Sequence, residues 1–525
     1  MGKEKMVSKR KFKVAICYPP VESKKGVPLL SQNRQFQYFN YSTFVYPMIP
    51  AYAATMAKDS GYNVLWMDGI AEKMSYEKWF SNLRREKPNL VLIETKTPVI
   101  KAHWKIVKEI KDNIPETVVV LVGDHVTYLP IESLENCPVD YILTGGDYDF
   151  LLVDLLECLS EESKDTNKET NAKRRQLPGG IFGRRGDRRV KLGELSKEMG
   201  NYWSSGPLEL RHSLDSLPFI DRDSTKWQLY AFENGNYKYK PGTYMYSGRD
   251  CWWGRCTFCI WDQVLYPQGT YRRFSPRRLF EEVKYVVDKY GVKEIFDDAG
   301  TFFIGDSLKE FCNLMIDSGY NKKVVLGCNM RINALTREYC ELMKKANFRF
   351  ILYGLESANQ ETLDKLEKGL KVKEVESYLK TAKECGLEPH ITVMLGYPWE
   401  TEEMTLKTIS FSKELFKKGY VDTMQATIVI PYPGSKLYNQ CKENDWFEVD
   451  PRDYEAFDMR GPVMKVPFSK EKLMQLTREL YSSFLTPQYI FRRLVSIRSM
   501  NDIRFLIYSV KKLIGHLLDF DKDQI

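Results

Sequence analysis

The chain has 525 residues, 43% of them hydrophobic and 28% charged, with a net charge of +8; this is more than one hydrophobic core serves and predicts roughly two to four domains of a soluble globular protein. Eleven cysteines, an odd number spread thinly outside one cluster, exclude a secreted disulfide framework and predict a reducing, cytoplasmic setting. The modest positive charge fits an anionic substrate, a membrane surface or nucleic acid and selects none of them, while the basic N-terminus lacks a signal peptide's apolar run and no stretch reaches the about 18 apolar residues of a spanning helix.

Over residues 1–160 short β runs alternate with helical patterns. The runs are "KVAICYPP" (13–20), "NVLWMD" (63–68), "NLVLIET" (89–95), "TVVVLVG" (117–123) and "VDYILTG" (139–145). Helices are predicted over 49–62, through "YEKWFSNLRREK" and from about Ala102 to Asn113. This alternation predicts an α/β fold with a doubly wound parallel sheet, whose ligand crevice lies at the carboxyl ends of the strands. Residues 161–240 read as a charged linker, a hairpin over 179–193 turning at Arg185–Gly186–Asp187, and a connection rich in Trp, Tyr and Pro.

From 241 to 440 a second β/α series follows. "SPRRLFEEVKYVVDKYG" (275–291) reads as a helix with Ser275 as N-cap, Pro276 at its first position and Gly291 as its stop. "TYMYSG", "VKEIFDDAG", "KKVVLGCNMRIN", "RFILYGLES", "EPHITVMLGYPWET" and "DTMQATIVIPYPG" each read as a strand running into a polar or glycine-bearing loop. They predict a full or partial parallel β/α barrel with its site at the C-terminal mouth. Residues 441–525 read as mostly helical; "SKEKLMQLTRELYSSFL" has Ser469 as a cap, and 487–520 is a basic amphipathic helix with Arg492, Arg493, Arg498, Arg504, Lys511 and Lys512 among Ile, Leu, Phe and Val. Such a helix either packs on the barrel or lies peripherally on an anionic membrane.

"RDCWWGRCTFCIWD" (249–262) places Cys251, Cys256 and Cys259 in the pattern C-x4-C-x2-C. Thiolates favour iron–sulfur clusters, zinc or copper(I). Structural zinc takes four ligands, usually from two paired motifs, and no second pair or local histidine is at hand. Three thiolates leave one coordination position open, which suits a reactive cluster.

A three-cysteine loop after the first strand of a β/α barrel resembles the radical S-adenosylmethionine (radical SAM) superfamily. The usual spacing there is C-x3-C-x2-C with an aromatic residue before the last cysteine. Phe258 fits that place, and the first gap is one residue longer here. "FDDAG" (296–300), "GLES" (354–357), "VMLGYPWET" (393–401) and "PYPGSKLY" (431–438) resemble further segments of the superfamily, in the expected order. The resemblance implies that Cys251, Cys256 and Cys259 hold a [4Fe–4S] cluster whose open iron binds SAM, which is cleaved to a 5′-deoxyadenosyl radical. Phe258, Asp297, Asp298, Arg331, Glu356, Gly396 and Glu400 are the candidates for SAM or substrate contacts.

The first 160 residues resemble the cobalamin-binding, Rossmann-like domain of B12-dependent radical SAM proteins through "YPP" (18–20), "GDHVTYLP" (123–130) and "VDYILTGGDYD" (139–149). No histidine sits in a D-x-H-x-x-G pattern; His125 follows Asp124 directly. The resemblance therefore implies a cobalamin without a histidine ligand, bedded on Thr95, Thr97, Gly123, Asp124, His125, Gly145 and Gly146. The implied activity is methyl transfer from methylcobalamin to an unactivated carbon or a phosphinate-type phosphorus, with a ferredoxin or flavodoxin as electron donor and a small-molecule or lipid-like substrate. A cobalamin-dependent cyclase, ring-contraction or oxidative enzyme is the second reading, and a non-catalytic cluster and cobalamin sensor the third. A tRNA-modifying methylthiotransferase ranks below these, because the N-terminal region offers only Cys17, Cys137 and Cys158 toward a second cluster; no nucleic-acid partner is expected.

Overall fold

The computed structural model describes residues 9–30, 36–40, 43–162, 175–481 and 486–519. Most of the charged linker expected after residue 160 lies outside the described residues.

Five apolar runs form the first sheet. β1 (Lys13–Tyr18), β2 (Asn63–Asp68), β3 (Leu90–Thr95), β4 (Val118–Gly123) and β5 (Tyr141–Leu143) lie parallel in the order β2-β1-β3-β4-β5. Side chains alternate between two cores. Val14, Ile16, Leu90, Leu92, Val120 and Val122 belong to one, with helices α1 (Met48–Asp59) and α6 (Tyr148–Glu162). Ala15, Cys17, Val91, Ile93, Val119 and Leu121 belong to the other, with α2 (Tyr76–Glu86) and α3 (Ile100–Asn113). Strands covered on both faces carry such near-continuous apolar runs. The strand order reverses at β1, so the crevice of this sheet opens beside Tyr18 and Glu94.

Residues 181–204 correct the expected hairpin. β6 (Ile181–Arg184) pairs antiparallel with β5 on one side and with β8 (Tyr202–Ser204) on the other, and β7 (Lys197–Met199) closes the edge against β8. The chain does turn at Arg185–Gly186, where the Asp187 amide donates to the Arg184 carbonyl at 3.3 Å, but no strand directly after that turn pairs with β6. The indole of Trp203 lies where a Cβ on Gly183 would stand, 2.4 Å away, and its Nε1 donates to the Arg184 carbonyl at 2.8 Å. Trp203 thus selects the distant partner strand, and this segment extends the first sheet to eight strands.

The second sheet has β9 (Gly242–Met245), β10 (Glu294–Asp297), β11 (Val325–Met330), β12 (Phe348–Glu356), β13 (Glu388–Leu395) and β14 (Thr423–Ile428), all parallel and in chain order. β9 and β14 are its edges and do not pair, so the sheet is open. Between the strands run α7 (Pro276–Tyr290), α8 (Asp306–Asp317), α9 (Arg337–Lys345), α10 (Gln360–Lys365), α11 (Val372–Glu384) and α12 (Glu402–Lys418). α7 starts where its sequence says: Ser275 accepts from the Arg278 amide and Gly291 ends it at φ 66°.

After α13 (Lys436–Glu443), residues 444–469 are irregular rather than helical and return to the first domain. Tyr454 donates to Glu132 at 2.9 Å, and Arg460 donates to the Lys25 carbonyl at 2.9 Å. α14 (Lys470–Tyr481) begins at its Ser469 cap. The single helix expected over 487–520 is two, α15 (Pro487–Val495) and α16 (Met500–Asp519). The break falls at 496–499, where Ser499 accepts from the Asp502 amide and starts the second helix.

Candidate active site

The loop 251–262 sits over the carboxyl ends of the second sheet and is tied to three of its loops. Trp252 Nε1 donates to the Phe302 carbonyl at 3.0 Å, after β10, and Trp253 Nε1 to the Glu367 carbonyl at 2.9 Å, after β12. After β14, the Leu437 amide donates to the Thr257 carbonyl at 2.9 Å. Gln263 bridges two of these layers: its Nε2 donates to the carbonyls of Cys256 and Cys259, and its Oε1 accepts from the Lys436 amide at the start of α13. A loop held by that many backbone bonds presents its thiols in one arrangement.

The three thiols share one locale. Burial raises each: Cys256 to about 11, Cys251 and Cys259 upward, with the neighbouring thiols of the trio adding to the shift of Cys256 and Cys259. Against burial, Lys368 and Arg331 pull Cys256 down. Among the described residues no three His, Cys, Asp or Glu side chains converge to hold a single metal ion. A cube of iron and sulfide gripped at three corners asks for a wider setting, and all-sulfur donors with a cationic flank suit it.

Around the trio the structure gathers Phe258, Arg331 and Glu356, and the residue that joins them is Lys368. Lys368 Nζ meets Glu356 Oε1 at 2.8 Å, both side chains being buried, and lies 5.9 Å from the Phe258 ring centroid. Arg331 donates to the Lys368 carbonyl at 2.6 Å and stacks 3.8 Å from the Trp253 ring centroid. Burial works to lower Lys368, yet Glu356 prevails and the ammonium is held above its usual range. Glu356 ends β12 at φ 66°, where the pairing with β13 shifts register. A β-bulge of this kind re-aims a side chain. A Cβ on Gly354 would stand 2.3 Å from Glu356 Oε1 and 2.7 Å from Lys368 Nζ, so a side chain there would have to push the ends of the pair aside.

The other SAM candidates stand at or after the ends of β10 and β13. Asp297 accepts from Ser247 at 2.9 Å and borders an apolar pocket with Phe302, Phe311 and Phe348; burial raises it to about 8. Asp298 accepts from Asn329 at 2.8 Å. Gly396, at φ 92°, faces Leu473 of α14. Glu400 ties the loop after β12 together, accepting from Ser357 at 2.7 Å and Thr362 at 2.6 Å. Among the described residues, buried polar atoms at this end without partners include Thr257 Oγ1, Asp297 Oδ2, Tyr397 Oη and Glu400 Oε2. Tyr397, in electrostatic reach of Glu356 and Cys256, is a donor aimed into the site, and buried donors are rarely left unpaired without a ligand to meet.

The first domain's candidates form a connected bed at the ends of β3 and β4. Thr95 Oγ1 meets His103 Nδ1 at 2.7 Å and Thr97 Oγ1 meets His125 Nδ1 at 3.3 Å. His125 is fully buried; its Nε2 meets Glu132 at 3.1 Å and Tyr454 covers its ring edge-on. With both ring nitrogens engaged, His125 offers no free imidazole to a metal. Asp124 pairs with Lys96 at 3.4 Å, and Gly123 turns at φ 119°. At the crevice itself Glu94 accepts from Tyr18 and, at 2.9 Å, from Tyr148, and a pocket beside it is lined by Tyr18, Phe44, Val45, Asp68 and Tyr230.

Gly145 and Gly146 lie against the segment that follows the cysteine loop. The Gly146 amide donates to the Leu265 carbonyl at 2.8 Å, and a Cβ on Gly146 would stand 2.2 Å from the Tyr266 ring. These glycines let the first domain press against the segment that follows the cysteine loop. Beside them Arg249, two residues before Cys251 and 1% exposed, is clamped by Asp147 at 2.8 Å and by both oxygens of Asp149. Arg272 closes the cluster on Asp147 at 2.7 Å.

Comparison with known proteins agrees with this geometry. Residues 245–412 match the model of the Radical SAM superfamily. This stretch is a radical SAM domain. The chain is 27% identical over 450 residues, 85% of its length and 89% of the other, to "Uncharacterized methyltransferase PH0819" of Pyrococcus horikoshii. It is 25% identical over 434 residues to the anaerobic magnesium-protoporphyrin IX monomethyl ester cyclase of Cereibacter sphaeroides, covering 80% of this chain and 63% of that one. Its fold matches the radical SAM methyltransferase TsrM of Kitasatospora setae, solved with cobalamin and a [4Fe–4S] cluster, at a TM-score of 0.62 with 14% identity, over 90% of this chain and 88% of that one. The α/β architecture, an N-terminal sheet followed by a radical SAM domain and a helical end, is thus shared with that structure.

Proposed function

We propose that this protein is a cobalamin-dependent radical SAM methyltransferase, with Cys251, Cys256 and Cys259 as cluster ligands and the carboxyl edge of the first sheet as the cobalamin bed. The observation that carries the reading is the meeting of these two sites: α4 (Asp124–Tyr128), in the bed, packs against residues 261–265, directly behind the cysteine loop. When bound, the cluster supplies an electron to SAM and the cobalamin a methyl group for an unactivated carbon.

The chain's own residues bind and orient. Lys368 and Arg331 bring positive charge to the cysteine loop, where an anionic SAM carboxylate is favoured, and Glu356 and Tyr397 offer an acceptor and a donor to its polar groups. Trp252 and Trp253 exclude water from the cluster side. His125 holds Glu132 and Thr97 in place rather than serving as a cobalt ligand. The substrate class stays at a small or lipid-like molecule, and a ferredoxin or flavodoxin fits as reductant. The cyclase relative supports an oxidative cyclase as the second reading.

Anaerobic reconstitution with iron, sulfide and cobalamin, followed by absorption spectroscopy and a SAM-cleavage assay, tests both cofactors before a substrate is known. With substrate, the methyltransferase reading expects S-adenosylhomocysteine beside 5′-deoxyadenosine; 5′-deoxyadenosine alone favours the cyclase. Lys368→Met leaves Glu356 buried without its partner and removes a charged hydrogen-bond donor, a loss of about 1.5–3 kcal/mol. SAM affinity, read by equilibrium dialysis, is expected to fall on the order of tenfold to a hundredfold, with iron content unchanged.

A further inference from the structure

The two last helices expose apolar surface that the fold does not use. On α16, Met500, Ile503, Ile507, Val510 and Ile514 are all exposed. Their spacing of three, four, three and four residues places them on one stripe. The helix packs through its opposite side, where Phe505 is buried and Lys512 reaches Thr43. On α15, Ile490, Phe491, Leu494 and Val495 are exposed, Phe491 by 67%. An apolar patch of this extent on a folded surface marks an interaction site.

Charge decides what covers it. Arg504 and Lys511, both exposed, stand along one border of the α16 stripe, and Arg498 is exposed at the break between the helices. From 503 to 518 the helix carries no acidic residue, and Asp502 before it is engaged by Ser499 and Lys238. A second copy laid along the same stripe would bring no carboxylate to Arg504 and Lys511. An anionic bilayer would, with the aliphatic stems of both residues lying along the apolar region and their charges at the headgroups. Among the described residues no helix is long and apolar enough to cross a membrane, so contact in the plane of the interface is the mode this surface fits. We propose that α15 and α16 form a docking surface for an anionic phospholipid bilayer.

Flotation of the full chain with phosphatidylglycerol vesicles and with phosphatidylcholine vesicles tests this. Binding to the anionic vesicles, weakened by salt, is expected. The triple variant I503S/I507S/I514S and the charge reversal R504E/K511E are each expected to weaken it by on the order of tenfold or more, with the circular dichroism melt unchanged, since all five side chains are exposed. The proposal is overturned if neither vesicle binds, if both variants bind like the parent, or if light scattering shows a dimer that I503S/I507S/I514S dissociates while vesicle binding is absent.

Discussion

Cys256→Ala is expected to abolish SAM cleavage and to remove most of the iron and the broad cluster absorbance after anaerobic reconstitution. Cys256 is the trio member on the Lys368 and Arg331 side, so its loss opens the grip where the cationic flank meets the site. Two remaining thiols leave two corners of a cube to water or free thiol, and such a cluster is readily lost. Cys385, half-buried at the end of α11, is the control: Cys385→Ala should keep iron and cleavage. The same burial that raises the trio keeps the metal-free thiols protonated at neutral pH. Iron uptake therefore releases protons and strengthens as pH rises. If Cys256→Ala retains iron and absorbance, or the parent takes zinc in iron's place, the ligand set is wrong.

Much of this arrangement was legible in the sequence because it rests on local pattern. β1 and β2 begin and end within two residues of their apolar runs, and Ser275 and Gly291 bound α7 as their chemistry demands. The cysteine spacing announced the cluster loop for the same reason: ligand, aromatic and glycine lie within a dozen residues. What the sequence hid is pairing at a distance. Lys368 looks like any lysine in "KLEKGLK" until the bulge at Glu356 brings a carboxylate to it. Gly183 gives no sign that Trp203 will cover it, so a hairpin with Arg185–Asp187 as its turn was the local choice. Gly145 and Gly146 do permit close approach, and only the structure shows that Gly146 meets Tyr266 and the Leu265 carbonyl. For His125, only the structure places Glu132 and Tyr454 on its ring, the latter more than 300 residues away.

Arg249→Met is expected to destabilise the protein by about 3–5 kcal/mol, because it leaves Asp147 and Asp149 buried with one guanidinium lost. Against a typical total of about 5–15 kcal/mol, that is a large share. Arg272→Met should cost far less: its side chain is partly exposed, and Asp147 keeps Arg249 when it is removed. Thermal unfolding of the two variants, compared at one pH, separates them, and the combination R249M/D149N should recover part of the loss. The pair also carries a pH signature. Burial works to raise Asp147, but Arg249 and Arg272 together hold it below the usual carboxylate range. A lowered folded-state value contributes stability that is present above the unfolded value of about 3.9 and fades as pH falls below it; Asp147→Asn should flatten that acid limb. The functional consequence follows from position. Arg249 stands two residues before Cys251, and its partners follow Gly146, so the clamp fixes the cysteine loop against the first domain across a linker of about a hundred residues. A radical or methyl handed between two sites needs them at a set separation. Arg249→Met should therefore lower methyl transfer more than SAM cleavage without substrate, and equal loss of both would mean the clamp supports the cluster loop alone.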